Sequence, residues 1–186
     1  MKLADKLAET SSRPPSTRRR ILAKVLPVFV YSLFFPALLF IIPKLYLDRW
    51  LQLPTFLTPV VKGLLGGSLV TLGLIFIVWS IREQRELGKG TPMPLMATQK
   101  LVVQKPYLYC RNPMFFGIIN LFFGISVLLD SISSLVMVLI FSVIVLLYTK
   151  LIEEKELEKR FGDEYLAYMK RTPFIIPTPT TLRRKN

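Results

Sequence analysis

The sequence predicts an all-α integral membrane protein with four transmembrane helices, a C-terminal helical hairpin, and a cytosolic loop and tail. Three observations predict this fold. Of the 186 residues, 52% are hydrophobic, whereas a soluble domain is typically about 45–50% apolar even when Gly is counted. The mean hydropathy is +0.45. The 25 Lys and Arg residues exceed the 12 Asp and Glu residues, and these charges lie outside the long apolar runs, which excludes an ordinary soluble domain.

The composition also excludes several kinds of site. The chain has no histidine, so no imidazole can act as a base or as a metal ligand. Cys110 is the only cysteine, which excludes an intrachain disulfide framework and a metal site built from cysteines. No metal site is therefore predicted. Nucleic acid is not an expected partner, because long uncharged apolar runs fit poorly with a nucleic-acid interface despite the net charge of +13.

Four stretches are apolar enough to form the spans, because a spanning helix needs roughly 20 mostly apolar residues. The first two are residues 25–42 and 63–80, and the last two are 114–129 and 132–148. Only Asp130 and Ser131 separate the last two, so these should form an antiparallel hairpin. Each of them is about 24–26 Å long at 1.5 Å per residue, which suits a locally thin bilayer.

Small residues in the second predicted span are expected to allow close contact with a neighbouring helix. They are Gly63, Gly66, Gly67 and Ser68.

The orientation follows from where the basic residues lie. Seven of the 25 Lys and Arg residues are in the arm 1–24, six are in the predicted central loop 81–113 and nine follow residue 149, whereas the predicted first loop, 43–62, holds three. The positive-inside rule then places both termini and the central loop in the cytoplasm. The basic segments are expected to lie against anionic lipid headgroups. No obligate protein partner is implied, and a prokaryotic source would place this multi-pass protein in the plasma membrane.

Residues 88–116 read as an ordered, irregular loop that leads into the third span. Asn112 suits an N-cap and Pro113 suits the first helical position. A helix N-terminus with Arg111 beside it can form an anion pocket. The alternative is an ordinary helix start with Arg111 reaching a lipid phosphate.

Residues 153–168 are expected to continue the fourth span as a charged helix. Lys150 with Glu154, and Glu156 with Arg160, are spaced i,i+4 and have opposite charges. For most of these charged residues, exposure to solvent on the helix surface is a sufficient explanation.

Glu153 and Glu154 are different, because they lie where the fourth span leaves the bilayer and need a cation nearby. The hairpin returns them to the face where the third span begins, so we expect Arg111 and Asn112 as neighbours. Such a site has an anion-binding and a cation-binding half. S-adenosylmethionine is one ligand with suitable charges, and other zwitterions are also compatible.

At these positions the chain resembles the membrane methyltransferases of the isoprenylcysteine carboxyl methyltransferase and phospholipid methyltransferase group. The resemblance runs from residue 88 to 177, about half of the chain. The matching residues are those at 88–94, 100–102, 106–107 and 111–114, followed by Glu153, Glu154, Phe161, Gly162, Tyr165, Tyr168, Pro173 and Pro177.

The resemblance implies S-adenosylmethionine as the cofactor, bound at the cytosolic face, with Arg111 and Glu154 as catalytic residues. It further implies cofactor contacts from Gln99, Lys100, Leu101, Val102, Tyr107, Asn112, Pro113, Met114, Phe115, Glu153 and Glu154. The chain then divides into a basic cytosolic arm (1–24), two transmembrane helices (25–80) and a methyltransferase core (81–186) that contains the hairpin 114–148.

The implied reaction is methyl transfer to a lipid or lipid-like acceptor, whether an isoprenylcysteine-type carboxylate, a phospholipid amine or a small thiol. Carboxylate and thiolate acceptors are slightly favoured, because an amine would need Glu153 or Glu154 to take its proton. The departures from the family pattern, at Thr149, Lys105, Phe115 and Phe174, concern the acceptor more than the cofactor.

Two other functions are compatible with the sequence. One is a non-catalytic membrane protein that retains the fold. The other is a relative of the sterol-type NADPH reductases, whose chains generally have more spans.

Overall fold

Every regular element in the residues that the structure describes, 33–86 and 100–178, is helical. The structure is a computed structural model. The five helices are α1 (33–50), α2 (Pro59–Glu86), α3 (Pro113–Leu128), α4 (Ile132–Phe161) and α5 (Asp163–Arg171). The predicted arm 1–24, residues 25–32 of the first predicted span, the motif at 88–94 and Gln99 lie outside the described residues.

Helix α1 continues beyond the predicted end of the first span at residue 42. It contains the π-helical turns Ala37–Ile41 and Pro43–Leu47 and ends with Asp48–Trp50. The prediction of a loop from residue 43 was therefore wrong. Pro43 stands at the start of the second π-helical turn, where proline's fixed φ fits the helix and its missing N–H breaks no bond within that turn.

Helix α2 is longer at both ends than the predicted span 63–80. Pro59 occupies its first turn, preceded by Thr58 at the N-cap, and the helix ends at Glu86. Residues 81–86, predicted as the start of the central loop, are therefore helical.

Helices α2 and α3 touch along their backbones. A Cβ added to Gly73 would lie 2.6 Å from the carbonyl oxygen of Gly117, and one added to Gly117 would lie 2.7 Å from that of Gly73. Of the glycines predicted to allow close contact, Gly66 does so, with Leu128 2.7 Å from its added Cβ, whereas an added Cβ on Gly63 or Gly67 would meet nothing within 4 Å. The prediction was wrong for those two because they face away from α3.

The hairpin between α3 and α4 turns at the predicted polar break. Asp130 has φ +51°, a left-handed conformation that Asp tolerates better than most residues. Ser131 then caps α4 by accepting a hydrogen bond from the Ser134 N–H at 3.1 Å. The short break therefore brings α4 back alongside α3.

Charged side chains at this turn, Lys44, Asp48, Lys62 and Asp130, form what we call the hairpin-turn cluster. Lys62 Nζ lies 2.8 Å from Asp130 Oδ2, and this hydrogen-bonded ammonium holds the pKa of Asp130 below its usual range. Lys44 donates to the Asp130 carbonyl at 3.0 Å. Asp48 accepts from the Ser133 N–H at 3.1 Å, so the cluster ties α1 and α2 to the start of α4.

Two of the described helices, α2 and α4, are long and apolar enough to cross a membrane by length and composition. Only 17% of the most apolar window of each is buried within the protein. Large apolar side chains such as Leu64, Ile75 and Ile144 point outward, with more than half of their surface exposed. Since the core helix of a soluble protein would be mostly buried, these faces fit contact with lipid. Helix α3, with 16 residues, is shorter.

Beyond its apolar part, Ile132–Tyr148, helix α4 changes character. A π-helical turn, Thr149–Glu153, leads into the charged segment Glu154–Phe161. Gly162, with φ +54°, then reverses the chain into α5, because a left-handed φ suits glycine. The predicted charged helix 153–168 is therefore two helices, and α5 folds back towards the start of α3.

Candidate functional site

The site is centred on an ion pair between Arg111 and Glu154. Arg111 precedes the first turn of α3, and Glu154 follows the apolar part of α4. Arg111 Nε donates to Glu154 Oε1 at 2.8 Å, and Nη2 lies 2.6 Å from the same oxygen. The two side chains are 8% and 5% exposed. The hairpin thus brings together two residues that are 43 positions apart in the chain.

The rest of the Arg111 guanidinium binds the chain that follows α5. Nη1 donates to the carbonyl oxygens of Met169 at 3.0 Å and Thr172 at 2.9 Å. The Arg111 backbone N–H donates to the Pro173 carbonyl at 2.8 Å. The expected anion pocket at Arg111 therefore holds an anion of the protein itself, the Glu154 carboxylate, because burial requires the guanidinium to be paired and hydrogen-bonded.

Lys150 is a second cation at Glu154. Its Nζ lies 2.9 Å from Glu154 Oε2, and its side chain is 51% exposed. The same ammonium lies 5.2 Å from the centre of the Phe174 ring. The predicted i,i+4 pair of Lys150 and Glu154 is confirmed, and so is that of Glu156 and Arg160, at 3.1 Å. Both oxygens of Glu154 therefore face a cation.

Asn112 stands at the N-cap of α3 and Pro113 at its first position, as predicted. The Asn112 side chain makes no capping hydrogen bond. Its Nδ2 instead donates to the Phe174 carbonyl at 3.0 Å. The expectation of a side-chain cap was wrong, because the tail after α5 offers a carbonyl to this amide.

Three residues of the predicted cofactor set, Leu101, Val102 and Tyr107, pack with Tyr165 and Tyr168 of α5. The Tyr168 hydroxyl donates to the Tyr107 carbonyl at 2.7 Å. Burial raises the pKa of both tyrosines, so their hydroxyls remain protonated donors at neutral pH. The loop before α3 is therefore fixed against α5.

The other predicted residues lie elsewhere around the ion pair. Met114 and Phe115 pack against the apolar core of the helical bundle. Pro113 is buried, whereas Lys100 is exposed. The predicted set is therefore divided between two apolar clusters, one on the bundle side of the ion pair and one on the α5 side.

Glu153 differs from its neighbour Glu154. It has no ion-pair partner among the described residues, and it lies five positions beyond the apolar part of α4. Burial raises the pKa of its carboxyl to about 7. Thr149, one turn earlier, is buried, and its hydroxyl acts on the Glu153 carboxyl in the opposite direction, lowering the pKa. The Glu153 carboxyl thus lies beside the ion pair without a cationic partner among the described residues.

An open groove of about 560 Å³ runs along α2 on the outside of the bundle. Leu74, Ile75 and Val78 line its apolar part, and its charged end holds Arg82, Glu83 and Glu86. Its wall also includes Trp79, whose ring centre lies 6.0 Å from that of Tyr109, two residues before Arg111. Sequence reasoning missed this groove, because apolar residues on a span do not reveal a concave surface.

Sequence reasoning also missed the role of the tail. The groups that bind Arg111 and Asn112 are backbone carbonyls of Met169, Thr172, Pro173 and Phe174. Any residue type offers such a carbonyl, so no sequence pattern identifies them.

Comparison with known proteins gives one informative match. A family model described as phospholipid methyltransferase matches residues 61–164, more than half of the chain. This range contains α2 from residue 61 onward, all of α3 and α4, and both members of the central ion pair. Neither the curated proteins nor the solved structures give a match.

Proposed function

The chain belongs to the phospholipid methyltransferase family, and from this premise we propose that it transfers a methyl group from S-adenosylmethionine to the head group of a membrane lipid. Membership of the family implies a membrane methyltransferase, and such enzymes generally use this cofactor. The match over residues 61–164 is the observation that carries the proposal.

The residues around the ion pair suit the charges of the cofactor. S-adenosylmethionine supplies an activated methyl group on a sulfonium, together with an ammonium, a carboxylate and an adenosine. Lys150 has an exposed ammonium that can meet a carboxylate. Glu153 and Glu154 supply negative charge for the cationic groups. We retain the predicted contacts of 99–102, Tyr107 and 112–115 as the apolar and backbone side of the site.

The protein's own part in the reaction is alignment and exclusion of water. A methyl displacement needs its reacting atoms in line and a site closed to solvent. Arg111 holds three segments together, since it binds Glu154 of α4, the end of α5 and the tail. The pair thereby fixes the loop 100–112, which carries much of the proposed cofactor site.

The groove on α2 supports a lipid as the acceptor. Its apolar wall can accommodate an acyl chain, and Arg82 with the carboxylates of Glu83 and Glu86 at its end can contact a head group that carries both charges. The outward apolar faces of α2 and α4 give such a lipid direct access from the bilayer.

We further propose that the chain spans the membrane four times, through 25–42, 63–80, 114–129 and 132–148, with both termini and the site in the cytoplasm. The distribution of Lys and Arg supports this orientation. The basic segments then contact anionic lipid headgroups.

The test uses the full-length protein in lipid nanodiscs. Calorimetric titration with S-adenosylmethionine should show saturable binding, and the methyl-labelled cofactor should label a lipid in a total membrane extract, identified by mass. Asn112→Ala, which leaves the central ion pair intact, should weaken cofactor binding. Glu158→Gln, an exposed change on the same helix as Glu154, is the control and should bind like wild type.

Three outcomes would contradict the proposal. A folded wild-type protein that binds no S-adenosylmethionine would contradict the cofactor, and tight NADPH binding would instead support a reductase relative. Cofactor binding without label transfer to any lipid would support a non-catalytic protein.

A further inference from the structure

The end of α1 carries an open pocket of about 390 Å³ that the proposed reaction does not use. Its lining combines aliphatic, charged and amide side chains, those of Leu45, Leu53, Lys44, Asp48, Arg49 and Gln52. The pocket lies beside the hairpin turn that follows α3, whereas Arg111 precedes α3. The pocket and the central ion pair are therefore at opposite ends of the bundle.

Two of the charged groups in the pocket, Asp48 and Lys44, are already bound by the protein. Asp48 Oδ2 lies 3.7 Å from Lys44 Nζ, and Asp48 Oδ1 accepts from the Ser133 N–H at 3.1 Å. Lys44 also donates to the Asp130 carbonyl at 3.0 Å. The carboxylate of Asp48 is buried, so it holds α1 against the start of α4 and is not open to a ligand.

Arg49 is the third charged group, and it is exposed. Its guanidinium makes no hydrogen bond or ion pair within the described part of the chain. The last carbonyls of α1 do not occupy it, because those of residues 47–49 already accept from the backbone N–H groups of residues 51–53. The pocket therefore presents one positive charge that the described protein groups do not balance.

Gln52 adds a hydrogen-bond donor beside this charge. Its φ of +51° is a left-handed conformation, which is unfavourable for a residue with a side chain. Gly or Asn usually occupies such a position after a helix. The chain instead has a glutamine there, whose amide can donate to a phosphate oxygen.

The surface of α1 around the pocket changes from apolar to aromatic towards the end of the helix. Ile41 and Ile42 come before the pocket and are 52% and 45% exposed, whereas Tyr46 and Trp50 are 68% and 79% exposed. Exposed Tyr and Trp side chains are typical of the head-group level of a membrane. The apolar side chains therefore suit acyl chains, and the pocket suits the phosphate above them.

We propose that this pocket binds the phosphate of an anionic phospholipid in the leaflet away from the Arg111–Glu154 pair. Arg49 supplies the charge and Gln52 a further donor. An anionic lipid fits better than a zwitterionic one, because the carboxylate of Asp48 is already bound and leaves no partner for a head-group ammonium. The proposal is independent of the proposed methyl transfer.

The two tryptophans of the chain allow each end of the bundle to be probed separately. Trp50 adjoins Arg49, and Trp79 lies in the groove on α2. The full-length protein with Trp79→Phe is reconstituted in bilayers that contain brominated phosphatidylglycerol or brominated phosphatidylcholine, so that only quenching of Trp50 is measured. Thermal unfolding first establishes that each variant is folded.

We expect phosphatidylglycerol to quench Trp50 more than phosphatidylcholine does, with a preference of about fivefold, the scale of one basic residue near an anionic surface. Arg49→Gln should abolish this preference, and Arg49→Lys, which keeps the charge, should retain part of it. Lys155→Gln, an exposed change at the other end of the bundle, is the matched control and should leave the preference unchanged.

Four outcomes would overturn the proposal. The first is equal quenching of Trp50 by the two lipids. The second is a preference that persists in Arg49→Gln, since the net charge of +13 would then be its cause. The third is loss of the preference when inorganic phosphate is added, which would make the pocket a site for a soluble anion. The fourth is an equal effect of Arg49→Gln on Trp79 in a Trp50→Phe protein, which would show that the substitution does not act through the pocket.

Discussion

Arg111 shows how much one side chain can depend on the fold around it. Its guanidinium is almost buried and binds one carboxylate and two carbonyl oxygens. Removing two charges from water costs free energy, so a buried ion pair often stabilises the fold no more than apolar residues of the same shape would. Removing one partner is different, because the other charge then stays buried without compensation.

We therefore expect Arg111→Ala to lower the free energy of unfolding by about 3–5 kcal/mol. Chemical unfolding of the purified protein in detergent, followed by circular dichroism, measures this change. Lys155→Ala on the exposed side of α4 is the control and should change stability by less than about 0.5 kcal/mol.

The double variant Arg111→Ala with Glu154→Ala tests whether the two residues act as a pair. Its loss of stability should be clearly smaller than the sum of the two single losses. Additive losses would show that the pair is not coupled.

At the residue scale, the sequence predicted that Arg111 and Glu154 lie close together. It did not predict the backbone carbonyls that bind the rest of the Arg111 guanidinium. The i,i+4 spacing predicted an ion pair between Lys150 and Glu154, because residues four apart lie on the same face of a helix that repeats every 3.6 residues. The carbonyls after α5 could not be predicted, because they carry no side-chain signal.

Among the elements, the contact between α2 and α3 depends on glycines at the places where the backbones touch. Gly73 faces Gly117, and Gly66 faces Gly124. The sequence showed that the second span is rich in small residues. Which of them face α3 depends on the rotation of α2, and the helical pattern of an apolar span does not specify that rotation.

We expect Gly73→Ala and Gly117→Ala to destabilise the protein, because each new methyl group would lie within 2.7 Å of backbone atoms of the partner helix. Overpacking of this kind typically costs about 1–3 kcal/mol. Thermal unfolding in detergent measures it.

Gly67→Ala is the matched control on the same helix. Its Cβ would meet nothing within 4 Å, and Ala is the better helix former by about 1 kcal/mol. This variant should be as stable as wild type or more stable. Destabilisation of all three variants to the same extent would contradict the proposed role of the contact.

For the molecule as a whole, charge sets the orientation that we propose. The hairpin-turn cluster and the central ion pair lie at opposite ends of α3, so a spanning bundle places them on opposite sides of the bilayer. The basic segments favour the cytoplasm for the side that holds Arg111 and Glu154.

Thiol labelling of whole cells tests this orientation. Thr55→Cys, between α1 and α2, should react with a membrane-impermeant maleimide in intact cells, whereas Lys155→Cys should react only after permeabilisation. Both positions are exposed, and Cys110 is fully buried in the folded protein, so wild type is the unlabelled control. The reverse labelling pattern would contradict the proposed topology.

The sequence by itself determined the helical class, the turn at Asp130, the start of α3 at Pro113 and the proximity of Arg111 to Glu154. These features depend on short-range periodicity, on turn chemistry and on the return of the chain through a tight hairpin. Only the tertiary structure decided that Arg111 is already paired, that Glu153 is left without a cation, and that α2 carries a groove. The pairing of Arg111 and the isolation of Glu153 depend on helix rotation and on the path of the tail, which are set by packing between segments far apart in the chain.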